Sequence, residues 1–511
     1  MKIKILLFIC LALNATMLLA QNDKNINRPN IIYFLADDLG YGEIGVQGQK
    51  IIKTPNIDAL AEQGLRFTQH YTGAPVCAPA RSVLLTGQHT GHTYVRGNDE
   101  MKEKGDVWNY IKASNDPNLE GQRPLPANTI TIGKLLQKAG YKTGVFGKWG
   151  LGGPGSEGVP GKQGFDRFYG YNCQRQAHNL YPAHLWEDDH KDPLNNELIS
   201  SHTGLDKDAD PNDPAAYAKF EQKDYAPEKI HEKALEFIRD NDGQPFFLYY
   251  ASPLPHLPLQ IPSEYTAQYE GLIEEVGPYT GEKGYFPNQH PRAAYAAMIS
   301  YLDAQLGELI SLLKEKGIYE NTLIIFTSDN GPSYTGGVDF EYFNSSQPFS
   351  NGYGRTKGFV YEGGIRVPMI ASWAGKIKPG ASTDHISAFY DVMPTLCELT
   401  GIDIPKETDG ISFAPTLFEQ KQKKHDFLYW EFPSYQGQQA VRMGKWKGIR
   451  KDIFKGNLTL ELYDLEKDPQ ELHDIASQNP KIVAKIQNIM KKEHVTAENA
   501  KFHFKELGDG Q

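Results

Sequence analysis

At 511 residues, the chain is too long for one small domain and long enough to bury a large core. Apolar residues make up 40% and charged residues 23%, with 49 Gly and 32 Pro, which describes a soluble, loop-rich globular protein. The formal charge of −10, from 53 basic and 63 acidic residues, excludes nucleic acid as a bulk partner, because a phosphate backbone needs a basic footprint.

The chain begins with the short basic stretch Met1-Lys2-Ile3-Lys4, followed by an apolar run from Ile5 to Ala20. This pattern predicts a secretory signal over residues 1–20, and with it a periplasmic or secreted protein. The run is too short for a spanning helix, and Cys10 sits too early in it to attach a lipid, so no stable membrane insertion is expected. The remaining cysteines are Cys77, Cys173 and Cys397, too few for a disulfide framework, and at least one must stay unpaired.

After a polar lead-in from Asn22 to Arg28, Pro29 to Leu35 reads as a strand buried on both faces. Thr54 caps and Pro55 opens a predicted helix that Gly64 stops. A second helical stretch runs from Gly133 to Lys138. Further strands are predicted at 141–146, 246–250, 323–327 and 367–373, with helices at 227–239 and 292–316 between them. Such alternation predicts an α/β fold built on a large mixed, mostly parallel sheet sandwiched by helices. From His425 the pattern changes to short strands at 427–432, 440–450 and 460–465 and a closing helix at 480–492. The expected division is a main domain over 21–424 and a smaller C-terminal α+β subdomain over 425–511.

Two of these strands end in polar residues that do not belong in a core. The first runs into Asp37-Asp38, and the strand at 323–327 runs into Asp329-Asn330. Ligands of open α/β sheets gather at the carboxyl ends of strands. Three carboxylates and an amide oxygen converging there point to a divalent cation, and all-oxygen ligation favours calcium, or less well magnesium, over zinc. Either pair alone is also a common turn or capping sequence. The stretch Cys77-Ala78-Pro79-Ala80-Arg81 leads into Ser82 to Gly87, a loop opening into a helix. A nucleophile at that junction faces free backbone N–H groups, with Arg81 as a fork-shaped cation beside it; a buried structural cysteine is the plainer reading.

Cys-x-Pro-x-Arg followed by Ser and Thr-Gly resembles the signature of the type I, formylglycine-dependent sulfatases of the alkaline phosphatase superfamily. Gly140-Tyr141-Lys142-Thr143 with Gly147-Lys148-Trp149-Gly150-Leu151-Gly152 is similar to that family's second signature. Lys357 before Tyr361-Glu362-Gly363-Gly364, Pro255-His256, and Tyr463-Asp464-Leu465 through Leu472 follow in the family's order. The resemblance implies an alkaline phosphatase-like fold with a sulfatase catalytic domain over 21–424. It implies that a maturation enzyme converts Cys77 to Cα-formylglycine, whose hydrate is the nucleophile. It also implies calcium held by Asp37, Asp38, Asp329, Asn330 and residue 77, with Arg81, Lys148, His256 and Lys357 completing the catalytic set.

One departure stands out: Gly150 occupies the place of the family's histidine, thought to help the sulfated intermediate break down. Gln174, His178 and His184 are candidates to substitute for it and to bind substrate. Tyr171, Tyr181 and Trp186 nearby are candidates for a sugar-stacking wall. The expected substrate is a sulfated carbohydrate. The alternatives are a phosphoester or phosphonate ester hydrolase of the same superfamily, and a sulfated-glycan binding protein impaired in catalysis. A net charge of −10 is compatible with one locally positive pocket.

Overall fold

The computed structural model describes residues 28–510, so the predicted signal over 1–20 and most of the polar lead-in lie outside the described residues. Asn30–Ala36 is buried along its whole length. Its alternate residues serve two cores: Ile31, Tyr33 and Leu35 pack on one side, and Ile32, Phe34 and Ala36 on the other. Both faces of the strand are therefore apolar, which is why the sequence shows an unbroken apolar run instead of alternation.

Among the described residues this strand lies at the centre of a ten-stranded sheet. The order is Ala381–Thr383, Leu65–Phe67, Met369–Ser372, Thr322–Ser328, Asn30–Ala36, Phe246–Ala251, Lys142–Lys148, Arg167–Tyr171, His184–Glu187 and His190–Pro193. The five from Thr322–Ser328 to Arg167–Tyr171 run parallel to one another. Met369–Ser372 and the last two strands are antiparallel to their neighbours. The helix Cys77–Thr86 packs in one core layer, whereas Ala226–Arg239 and Pro291–Glu315 pack in the other. The sheet is thus mixed, mostly parallel and covered on both faces, and the five parallel strands aim their carboxyl ends at one side.

Several local expectations need correction. Thr54 makes no side-chain capping bond to the helix Pro55–Glu62; its hydroxyl accepts instead from the Gly45 N–H at 2.8 Å and bonds to Asp58. The run predicted as one strand over 440–450 is a hairpin. Gln438–Met443 and Trp446–Arg450 pair antiparallel, with Met443 opposite Trp446. Gly444 takes φ +57° in the two-residue turn between them, a conformation that glycine adopts without strain. The proposed wall of Tyr171, Tyr181 and Trp186 is core: the three are 1%, 1% and 5% exposed. The Tyr171 hydroxyl donates to the Asn179 carbonyl, and the Trp186 indole N–H to Glu120. None of them offers a ring face to a sugar.

The C-terminal region forms a four-stranded antiparallel sheet, Leu428–Phe432, Gln438–Met443, Trp446–Arg450 and Glu461–Asp464. The helix Pro480–Glu493 covers it through Ile486 and Met490. Histidine–carboxylate contacts lie within this region and in the main domain beside it. His494 Nδ1 lies 2.8 Å from Glu431 and its Nε2 3.1 Å from Asp509. His425 Nε2 meets Asp391 at 2.7 Å, and His92 Nδ1 meets Asp409 at 2.9 Å. Burial alone would lower these imidazoles, but the carboxylates outweigh it and raise all three above the usual value of 6.5. Because the folded values exceed the unfolded ones, the contribution is complete below about pH 6.5 and fades as pH rises through the folded values. Burial lowers His70, His178, His202, His231, His256 and His385, which act in the opposite sense, so the test reads one contact at a time through the melting temperature. His494→Ala should lower it more at pH 6 than at pH 8, as thermal scans at the two values would show.

Candidate active site

The carboxyl ends of Asn30–Ala36 and Thr322–Ser328 bring Asp37, Asp38, Asp329 and Asn330 together, all fully buried. Asp38 sits at φ +65°, a left-handed conformation that turns its carboxylate and is unusual for a residue with a Cβ. The Asp38 N–H donates to Asp329 Oδ1 at 3.1 Å, which ties the two strand ends to each other. Asn330 Nδ2 donates to Asp38 Oδ1 at 2.7 Å, and its Oδ1 is left buried without a partner.

Cys77 is the first residue of the helix Cys77–Thr86, and all ten residues of that helix are buried. The helix starts without a side-chain cap, although Asn98 accepts from the Ala78 N–H at 3.2 Å. Its end is set by Gly87 in the left-handed region at φ +68°. The Cys77 thiol lies 3.5 Å from both Asp37 Oδ1 and Lys148 Nζ. One turn on, Arg81 spreads its guanidinium across the carboxylates. Nη2 reaches Asp329 at 2.9 Å and Asp37 at 3.3 Å, Nε reaches Asp329 at 3.2 Å, and Nη1 donates to the Lys148 carbonyl.

Three more charged or titratable groups close the cluster. Lys148 Nζ lies 2.5 Å from Asp37 Oδ2, and Lys357 Nζ lies 2.6 Å from Asp38 Oδ2. His256 Nδ1 is 2.6 Å from the Leu257 carbonyl, which can only accept, so Nδ1 carries the proton and Nε2 faces Asp38 at 3.7 Å. Donor atoms of Asp37, Asp38, Cys77 and His256 all lie within 4.8 Å of one another. That grouping differs from the predicted ligand set: His256 joins it, while Asp329 is engaged with Arg81 and the Asp38 N–H.

The electrostatics match a site short of positive charge. Burial alone would raise the Asp37 carboxyl, but Lys148, His256, Arg81 and Lys357 outweigh it and hold the group well below the usual carboxylate range. Burial and the charge of Asp37 push Asp329 up to about 7 despite Arg81. Asp38 is raised as well, because burial outweighs Lys357 and Asp37 adds to the rise. Three carboxylates so close do not all ionise freely at neutral pH, and a divalent cation is what would let them. Burial, reinforced by Asp37, also lifts the Cys77 thiol well above its ordinary value. Lys357 is raised because Asp38 and Cys77 outweigh its burial, and Lys148 because Asp37 and Cys77 do; both stay protonated. His256 is lowered by burial and then by Lys357 and Lys148, so it is neutral.

Gly150 follows Lys148 by two residues and adopts φ +80°. A Cβ placed there would sit 3.2 Å from Gln174 Oε1 and 3.3 Å from Gln122 Oε1, so two glutamine side chains fill the space beside it. The Gln174 N–H donates to Gln122 Oε1 at 2.9 Å, whereas Gln174 Oε1 and Gln122 Nε2 are buried without partners. His178 stacks on His256 with ring centres 5.2 Å apart and 16° between planes, and its Nδ1 is also without a partner. His184 takes a different place, 3.4 Å from Glu120 and edge-on to Trp186.

With this geometry in view, the comparisons with known proteins are decisive. Residues 29–402 match the family described as Sulfatase. The chain belongs to the sulfatase family. Residues 353–500 of this sulfatase also match the C-terminal family described as N-sulphoglucosamine sulphohydrolase. It is 30% identical to human arylsulfatase A over 90% of its own length and 87% of that protein. Identity is 27% to the N-acetylgalactosamine-6-O-sulfatase of Bacteroides thetaiotaomicron, over 92% and 94% of the two chains. Among solved structures it resembles Ps i-CgsB in complex with k-i-k-neocarrahexaose, with a TM-score of 0.68 and 26% identity over 92% and 94%. The fold and the reaction class, sulfuric ester hydrolysis, follow from this membership.

Of the residues singled out in the sequence, the structure gathers Asp37, Asp38, Cys77, Arg81, Lys148, His256, Lys357, Asp329 and Asn330 into one buried cluster. Gln174 and His178 flank it at Gly150 and His256, and His184 is not among the residues brought to it. Sequence reasoning missed Gln122, which lies in an irregular stretch without a motif and meets Gln174 only through folding. A weaker signal was available for the neighbours of Gln174: the polar run from Asn172 to His178 directly follows a buried strand.

Proposed function

We propose that this sulfatase is an exported enzyme that releases inorganic sulfate from sulfated carbohydrates, using residue 77 matured to Cα-formylglycine. The observation that carries the reading is the seat of Cys77. The residue opens a buried helix with its thiol 3.5 Å from both Lys148 and Asp37, against the group of donor atoms that could hold a cation. A hydrate oxygen at that position would stand among the positive groups that can help ionise it and hold a sulfate ester. Export rests on the leader pattern of residues 1–20. The saccharide class is supported by relatives named for an amino-sugar sulfate and by the neocarrahexaose complex.

Asp37, Asp38 and the orphaned Asn330 Oδ1 offer hard oxygens, and Asp329 Oδ1 can add a second lone pair beside its bond from the Asp38 N–H, so the residues fit a calcium ion. Such an ion would polarise the sulfuryl group and favour the ionised hydrate at residue 77. The protein's own groups do the remaining work. Lys148 and Lys357, kept protonated, neutralise the sulfate oxygens. Arg81 is wholly committed to Asp329, Asp37 and the Lys148 carbonyl, so it positions the helix start and its neighbours without reaching outward. Most of the acceleration is expected from this preorganised charge.

Lys357 is the protonated member of the pair facing the leaving group, and His256 is the neutral one. An anionic ester arriving beside His256 Nε2 favours a proton there, and that proton goes to the departing alcohol oxygen. Release of sulfate in the second half of the cycle needs a base, which Gly150 does not supply. Support for His178 in that role is its unpartnered Nδ1 and its stacking on His256.

The test is sulfate release from a panel of defined sulfated mono- and disaccharides by matured enzyme with calcium, alongside kcat/KM for matched aryl sulfate and aryl phosphate. At least one saccharide should release sulfate, and the aryl sulfate should be preferred. A preference for the phosphate would reassign the protein as a phosphoester or phosphonate ester hydrolase. Binding without release would make it a sulfated-glycan binding protein.

A further inference from the structure

Removing one sulfate from a sugar leaves Arg175 unexplained. This arginine lies in the polar run after the strand Arg167–Tyr171 and is only 4% exposed. Its Nε is buried without a hydrogen-bond partner, and no carboxylate among the described residues pairs with its guanidinium. A charged side chain so far buried, with one N–H unmet and no carboxylate bonded to it, is costly, and a ligand anion is one way to meet it. Glu100 senses the charge of Arg175 but does not bond to it, and Glu120 is occupied by Trp186 and His184.

The surroundings point the same way. The guanidinium carbon lies 5.2 Å from the ring centre of Trp108, and that indole is 54% exposed, a large aromatic face beside a buried cation. On either side of Arg175 the buried Gln174 Oε1 and Gln176 Nε2 lack partners. A line of rings runs from His202, which feels the charge of Arg175, to the catalytic cluster. After burial, the charge of Arg175 is what lowers His202. His202 meets His178 edge-on at 6.0 Å, and His178 stacks on His256 at 5.2 Å. The ring of Trp108 suits a sugar face, and the fork of Arg175 suits a planar or tetrahedral oxyanion.

We propose that Arg175 and Trp108 form a subsite for a second anionic group of the saccharide, a further sulfate or a uronate carboxylate, beyond the ester being cleaved. The proposal rests on the carbohydrate sulfatase reading and names the substrate class more narrowly. It predicts a preference for saccharides that carry two negative groups.

Three disaccharides test it: one monosulfated, the same compound with a second sulfate, and the same compound with a uronate. In wild-type enzyme, kcat/KM for a dianionic compound should exceed that for the monosulfated one. In Arg175→Gln this ratio should fall by about 10- to 100-fold, mainly through KM. Whichever of the sulfate or carboxylate pairs shows the fall identifies the group, and an unchanged ratio for both overturns the subsite. A merely structural arginine would also lower the melting temperature on substitution, whereas the subsite predicts a value at or above the wild type's. Calorimetric binding to Cys77→Ala protein separates the two readings. Loss of dianionic affinity in Cys77→Ala/Arg175→Gln supports the subsite even if the wild type releases no sulfate, and equal affinities refute it.

Discussion

Cys77→Ala should lower turnover of an aryl sulfate by at least about 10⁴-fold and leave the melting temperature nearly unchanged. The prediction follows from the position of the side chain. It is 2% exposed, and among the described residues its thiol has polar contacts with Asp37 and Lys148 alone, at 3.5 Å. Replacing one buried sulfur by hydrogen at a helix start removes little packing, about 1 kcal/mol at most. Chemistry, by contrast, loses its attacking atom, and the neighbouring charges can hold a sulfate ester but cannot displace its alcohol. Substantial hydrolysis by the variant would show that residue 77 is not the nucleophile. A large loss of stability would show that the cysteine is mainly structural.

Arg81→Leu should both abolish activity and destabilise the fold by about 3–5 kcal/mol, the range for breaking a buried ion pair on one side only. The guanidinium is 0% exposed and bonds to Asp329, Asp37 and the Lys148 carbonyl at once. Leucine satisfies none of these acceptors, and the two carboxylates are left facing each other with less compensation. Arg81→Lys should not rescue it, because a single ammonium cannot reproduce the fork. Denaturant unfolding of both variants measures the first effect and sulfate release the second. Unfolding midpoints equal to the wild type's would mean that Arg81 does not support the carboxylate cluster.

The legible parts of this molecule are those where one physical demand acts on consecutive residues. Asn30–Ala36 and Thr322–Ser328 are buried on both faces, so each shows as an apolar run, and the acids that follow each run stand out against it. The segment around Cys77 is legible because a helix start and an arginine one turn later fall within five residues. What could not be read depends on groups that meet only after folding. Leu65–Phe67 is a three-residue strand whose Arg66 points polar character into the pattern, and its guanidinium donates to the Val46 carbonyl. Gln122 and Gln174 lie 52 positions apart and meet beside Gly150. Tyr171, Tyr181 and Trp186 carry the residue types of a sugar platform, and only their burial shows that they are core. The exposed Trp108 beside Arg175 belongs to no motif at all.

Hydrolysis of the sulfate ester is proposed to run on residue 77 oxidised to an aldehyde. Mass spectrometry of the peptide spanning Val76 to Arg81, from active enzyme isolated with its maturation machinery, tests it most directly. The expected result is a peptide in which the CH₂–SH of Cys77 has become an aldehyde, with the modified fraction rising in proportion to sulfate released per molecule of enzyme. Fully active enzyme carrying only the unmodified thiol would contradict it.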